Sequence, residues 1–373
     1  MPSHGSGIPG RIFGLDVMRA TAGIMVLLSH TSHLVAGHWP RFPLVPSIDW
    51  VGIFFVLSGY LIGALLLDAL SKPGPPALRF ADFMQRRWLR TLPNYYLFLG
   101  INIVLVHRGL APGTITGAAP AYLLFLQNLY LPLDLFFWES WSLAVEEWFY
   151  LLFPLLAFGA LAFGSSHARR SYAAICALFL AFPLLARFHL APHAVDAITT
   201  ELWLDKLVVT RLDAPGMGML AALIATGRPA GWRRMRWPAF LIGAVLLALM
   251  GDIRREAPLP VPLFNSMEAM AVALLLPLLS TWHGRGTTVR LFAFLSLITY
   301  ALYVVHLPLL YVAGHLVPDP GPWACALKYA LFIAAAMGLA TLVQRLWEEP
   351  FMRQRDRVGR WIAARWPRGA GTP

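Results

Sequence analysis

Charge is scarce in this chain. Asp, Glu, Lys and Arg make up 13% of its 373 residues, about half the share of an ordinary soluble domain. So few charges cannot cover a soluble protein of this length, which excludes a plain solvated globule. Cysteine is nearly absent. Cys176 and Cys325 both sit in apolar runs without metal-ligand spacing, which excludes a disulfide framework or a zinc module. Acidic residues are outnumbered, 19 against 30 basic, for a net charge of +11. In a soluble protein that excess would point to nucleic acid. Here it is read as cytoplasmic loops facing anionic lipid.

What is present is apolar. Hydrophobic residues make up 58% and the mean hydropathy is +0.62. A run of about 20 apolar residues spans the hydrocarbon layer as a helix. The pattern predicts an all-α, polytopic bundle of ten transmembrane helices, near 14–36, 48–70, 91–108, 143–164, 172–190, 206–226, 237–251, 263–282, 290–312 and 323–346. The first run, 12–35, is too long for a signal-peptide core and contains charges, so no cleavage is expected.

Between the third and fourth spans, 119–137 is interrupted by Pro120 and Pro132 and is followed by Glu139. A broken segment at membrane depth is tolerated where it packs on protein, so it is read as a re-entrant element. Ten spans put both termini on one side. If that side is the cytoplasm, 21 of the 30 Lys and Arg residues fall on it, as the positive-inside bias requires. The expected division is one transmembrane domain, 1–350, and a short basic cytoplasmic tail, 351–373. Multi-pass insertion in the cytoplasmic membrane follows.

Ionisable residues inside spans are costly and mark function by default. The first span holds Asp16, Arg19 and His30. Arg19 and His30 are about 20° from alignment on one face and about 16 Å apart along the axis. Gly23 lies between them and would admit another element closely. Asp16 could pair with Arg19 one turn away. His33 and His38 follow, but no Asp, Glu or Cys joins them at ligand spacing, so no metal is expected. Glu146 and Glu147 open an apolar span in Trp141–Tyr150, where helix-dipole acids would account for one of them. Arg86, Arg87 and Arg90 precede the third span. They are either an ordinary positive anchor or a phosphate clamp. Arg211, Asp213 and His306 are further candidates within spans.

These segments resemble the membrane acyltransferase-3 family, which O-acylates cell-envelope sugars and some small molecules. The resemblance rests on Gly14-Leu15-Asp16 through Arg19 to His30, Phe54–Ile62, the Arg87/Arg90 pair, Trp141–Tyr150 and Thr299–His306, in the family's order. The first helix departs from it, reading Leu-Asp-Val-Met-Arg where the family more often has Asp-Gly-Leu-Arg. The resemblance implies an acyl-CoA donor, commonly acetyl-CoA, and a carbohydrate or glycosylated acceptor. His30 is then the expected base, Glu146 or Glu147 its orienter, and Arg86, Arg87 and Arg90 the donor's phosphate contacts. Arg19 and Asp16 complete the catalytic set. The alternative is a transporter or flippase, since intramembrane His, Asp, Arg and Glu also serve proton relays. Against it, the chain has no inverted repeat and no paired broken helices.

Overall fold

The computed structural model describes residues 11–39, 48–115, 119–164, 167–256, 261–316 and 321–364. Its main helices are α1 (Phe13–Thr31), α2 (Trp50–Ser71), α3 (Pro76–His107), α4 (Ser140–Ala162), α5 (Ala168–Leu190), α6 (Asp213–Gly227), α7 (Arg236–Glu256), α8 (Phe264–Leu279), α9 (Thr287–Leu316), α10 (Gly321–Val343) and α11 (Glu349–Ala364). No strand occurs among the described residues. Eight helices are long and apolar enough to cross a membrane: α2 to α6 and α8 to α10. The two remaining expected spans are α1, which carries Asp16, Arg19 and His30, and α7, whose apolar part is shorter.

Contacts at the helix ends set the direction of each pass. The Gly14 amide donates to the Trp282 carbonyl at 3.1 Å, joining the start of α1 to the end of α8. Arg169, at the start of α5, donates to the Leu223 carbonyl of α6 at 2.9 Å. Arg86 of α3 touches Gly359 of α11. All of these lie at one end, which also holds Arg11, Arg87 and Lys72. At the opposite end the Thr31 and Tyr329 hydroxyls meet at 3.2 Å, and Arg211 bonds Asp49, the N-cap of α2. The ten helices α1–α10 therefore alternate in direction between an arginine-rich end and a far end.

Helix crossings rest on small residues. A Cβ at Gly59 of α2 would lie 2.0 Å from the Pro215 carbonyl oxygen, and one at Gly218 of α6 would lie 2.0 Å from that of Val56. The two backbones touch, as apolar helices do where no side chain intervenes. Gly23 plays the same part for α1, since its Cβ would fall 2.7 Å from the Thr299 methyl of α9. Outward faces stay apolar: Leu241, Ile242, Val245 and Leu249 of α7 are exposed together, while Ala239, Leu247 and Met250 are buried. That is the pattern of a surface solvated by lipid.

The third span begins earlier than the hydropathy predicts. Pro76 sits at the first helical position, where its missing N–H costs nothing. The helix then runs unbroken through Arg86, Arg87 and Arg90. Hydropathy registers only the apolar part, so the arginines sit on a rigid helix and not in a preceding loop.

Segment 119–139 does not cross. Only Ala119–Leu123 is helical, and the rest is irregular chain that buries Phe125, Asn128, Phe136 and Phe137 against the protein and leaves Leu124, Leu131 and Leu135 exposed. The Tyr122 hydroxyl donates to the Phe136 carbonyl at 3.0 Å, and Asn128 Nδ2 donates to the carbonyls of Trp141 (3.0 Å) and Lys206 (2.7 Å). Irregular backbone at this depth needs such internal partners.

Candidate active site

Two buried ion-pair systems brace the bundle before any site is formed. Arg187 of α5 is fully buried and reaches Asp213 at 2.7 Å. It also donates to the Pro262 carbonyl at 2.7 Å, to the Thr210 carbonyl and to Ser266. Arg211 pairs instead with Asp49. The neighbours Arg211 and Asp213 therefore serve different partners, and both act as cross-helix ties. Asp16 pairs with Arg11 at 2.5 Å and not with Arg19.

The first cavity, of about 420 Å³, lies inside the bundle. Arg19 of α1, Arg87 and Arg90 of α3, Ser58 of α2 and Glu146 of α4 line it. No hydrogen bond or ion pair joins the three guanidiniums to another described side chain, and all three line the same cavity. The buried Arg87 Nε has no hydrogen-bond partner. Like charges gathered without matching anions form a site for one. Glu146 provides part of the balance. Its carboxylate accepts from Ser58 Oγ at 3.0 Å and from the Tyr150 hydroxyl. Glu147 is turned away and accepts from Thr91. Adjacent positions about 100° apart on a helix face different ways, so only Glu146 of the pair faces the cavity.

The far wall of this cavity is Ser142 and Tyr303, whose hydroxyls meet at 2.5 Å. Behind Tyr303 stands His306, with ring centroids 5.8 Å apart. His306 Nε2 lies 2.8 Å from His30 Nδ1, and the two imidazoles stack nearly parallel. His306 Nδ1 faces the Leu302 carbonyl at 3.2 Å. A carbonyl only accepts, so His306 carries its proton on Nδ1 and offers a lone pair at Nε2. His30 then donates from Nδ1, which leaves a lone pair on its Nε2. The partner of His30 is thus His306, while Glu146 and Glu147 are bonded elsewhere.

A second cavity, of about 760 Å³, opens at the arginine-rich end. Lys72, Arg79, Arg86 and Arg87 line it, with Asp68 and Asp82 between them. It shares Leu65 and Arg87 with the first. The two therefore adjoin, the second at the arginine-rich end and the first reaching the Ser142–Tyr303 wall in front of the histidine pair.

Sequence reading placed His30, Arg19, Glu146, Arg87 and Arg90 in this region and missed others. Ser58, Tyr150 and Tyr303 are ordinary residues whose roles appear only on packing. Glu139 is buried with neither carboxylate oxygen hydrogen-bonded. Its signal was a carboxylate beside an apolar broken segment. Lys206 lies over the rings of Trp138 and Trp141, at 4.5 and 4.8 Å.

The family model described as an acyltransferase domain, Acyl_transf_3, matches residues 12–345. The chain is similar to "Putative peptidoglycan O-acetyltransferase YrhL" of Bacillus subtilis (strain 168), 34% identical over 170 residues, covering 42% of this chain and 25% of that protein. It is also similar to "Peptidoglycan O-acetyltransferase OatA" of Listeria monocytogenes serovar 1/2a, 31% identical over 154 residues, covering 38% of this chain and 23% of that protein. The match thus spans about a quarter of the length of these relatives. No solved structure gives a significant match. A family match over nearly the whole chain, with its charged segments gathered on adjoining cavities, places this protein in the acyltransferase-3 family.

Proposed function

We propose that this chain is a membrane O-acyltransferase that takes an acyl group, commonly acetyl, from acyl-CoA and transfers it to a hydroxyl of an envelope carbohydrate. The observation that carries the reading is the pair of adjoining cavities, one basic at the arginine-rich end and one bounded by Tyr303, which packs on His306, the partner of His30. The names of the similar O-acetyltransferases support the acceptor class. The lysines and arginines at one end support a cytoplasmic face there, which is where the donor is found.

In this reading Arg87 and Arg90 hold donor phosphate, with Arg86 at the mouth, and Arg19 stands deeper along the path. His30 Nε2 removes the proton of the acceptor hydroxyl as its oxygen attacks the acyl carbonyl. His306 accepts from His30 Nδ1 and fixes the ring, the orienting role that a third group plays in base-assisted acyl transfer. The proton on His30 Nε2 then goes to the leaving thiolate, which restores the starting state. Bringing the acyl group to His30 requires the Ser142–Tyr303 contact to open.

Release of free thiol from acetyl-CoA by the purified full chain, supplied with envelope carbohydrate, tests this. Acceptor-dependent thiol release is the expected result. Transport of labelled substrate without thiol release would instead support a transporter.

A further inference from the structure

Glu139 adjoins the Ser142–Tyr303 wall between the first cavity and the histidine pair. It lies just before α4 at 1% exposure, and neither of its carboxylate oxygens has a hydrogen-bond partner. It does not cap the helix it precedes, so the ordinary task of an acid at a helix start is not taken. Lys206 lies over the indoles of Trp138 and Trp141, on either side of Glu139 in the chain, yet its ammonium pairs with Glu201 at 2.8 Å. A buried carboxylate without donors costs more than the helix dipole offsets. The donors that would satisfy it are not supplied by the described residues. The backbone of Glu139 is tied to the site. Its carbonyl accepts from the Tyr303 hydroxyl at 3.1 Å and from Ser142 Oγ at 3.2 Å, so both hydroxyls of the wall hang on this residue. Tyr303 in turn packs on His306, and His306 holds His30. Two residues before Glu139, buried Phe137 has a φ of +46°, which a bulky residue keeps only when its surroundings impose it. Glu139 and His30 both lie toward the far end of the bundle, where α1 ends and α4 starts.

We propose that Glu139 binds the acceptor, its carboxylate receiving hydrogens from hydroxyls of the carbohydrate and holding the reacting sugar beside His30. The inference rests on the O-acyltransferase reading above and deepens it by naming a contact for the acceptor. Charge and position select the acceptor over the donor. A carboxylate repels phosphate and takes hydrogen bonds from hydroxyls, and Glu139 lines neither of the two basic cavities. Tyr303 must leave Ser142 for the acyl group to reach His30, and the same move releases the Glu139 carbonyl from Tyr303. One displacement then opens the wall to the acyl group and uncovers the carboxylate for the acceptor.

Thiol release from acetyl-CoA by the full chain in detergent, with and without a soluble peptidoglycan digest, should be compared for wild type, Glu139→Gln and Glu139→Leu. The KM for the digest is expected to rise about tenfold in Glu139→Gln and further in Glu139→Leu, with the KM for acetyl-CoA unchanged. Without ligands both variants should melt no lower than wild type, because each removes a buried carboxylate that lacks donors. A digest KM within about threefold of wild type in both variants would overturn the inference alone. So would an equal rise in the two KM values. A Glu139→Gln protein that melts well below wild type would also overturn it, by giving the carboxylate a structural partner. A wild type whose thiol release ignores the digest would overturn the acceptor reading and this inference together.

Discussion

His30 Nδ1 lies 2.8 Å from His306 Nε2, across 276 residues of chain and between α1 and α9. The Leu302 carbonyl decides the direction of that hydrogen bond, because it can only accept from His306 Nδ1. His306→Ala removes the acceptor that holds the His30 ring. The turnover rate should fall by about 100-fold, with the KM for acyl-CoA unchanged, since His306 does not line the donor cavities. His306→Gln, which can still accept, should recover part of the rate. Steady-state kinetics on the three proteins checks this. A KM effect without a rate effect would contradict it.

The adjacent glutamates should separate cleanly. Glu146 lines the cavity and accepts from Ser58 and Tyr150, whereas Glu147 is bonded to Thr91. Glu146→Gln should lower activity about tenfold or more while leaving the protein folded, because it removes the charge facing Arg19 and Arg87. Glu147→Gln keeps an oxygen for Thr91 and should stay within about threefold of wild type. Thiol-release assays with both variants at equal purity decide the matter, and the reverse order would contradict it.

Asp213 is a matter of stability. Its carboxylate is the only acidic partner of Arg187 among the described residues, and both are buried. Asp213→Leu leaves a buried guanidinium uncompensated, a loss of about 3–5 kcal/mol. The detergent-solubilised variant should melt well below wild type, and adding Arg187→Met should recover much of the difference. A single variant as stable as wild type would contradict the brace.

Much of the architecture was legible in the sequence for one reason: lipid demands long apolar runs, and hydropathy reads them directly. The broken segment was legible through Pro120 and Pro132. The start of α3 was not, because its first turns are polar and lie outside the apolar run. At the site, residues that are expensive in a membrane announced themselves, as His30, Arg19 and Glu146 did. Their pairing did not. His30 and His306 meet only because α1 packs on α9 through Gly23 and Thr299, and no local spacing encodes that crossing. Arg187 sits near the end of a span, where an arginine reads as an ordinary interface anchor. Only burial with Asp213 and Ser266 shows otherwise.

The most direct test is transfer of radiolabelled acetyl from acetyl-CoA to envelope material, in membranes holding wild type or His30→Ala at matched expression. Label incorporated by wild type and lost in His30→Ala is the predicted result, and the labelled product would identify the acceptor. Equal incorporation by both proteins would contradict the role given to His30, and no incorporation by wild type would contradict acyl transfer from this donor.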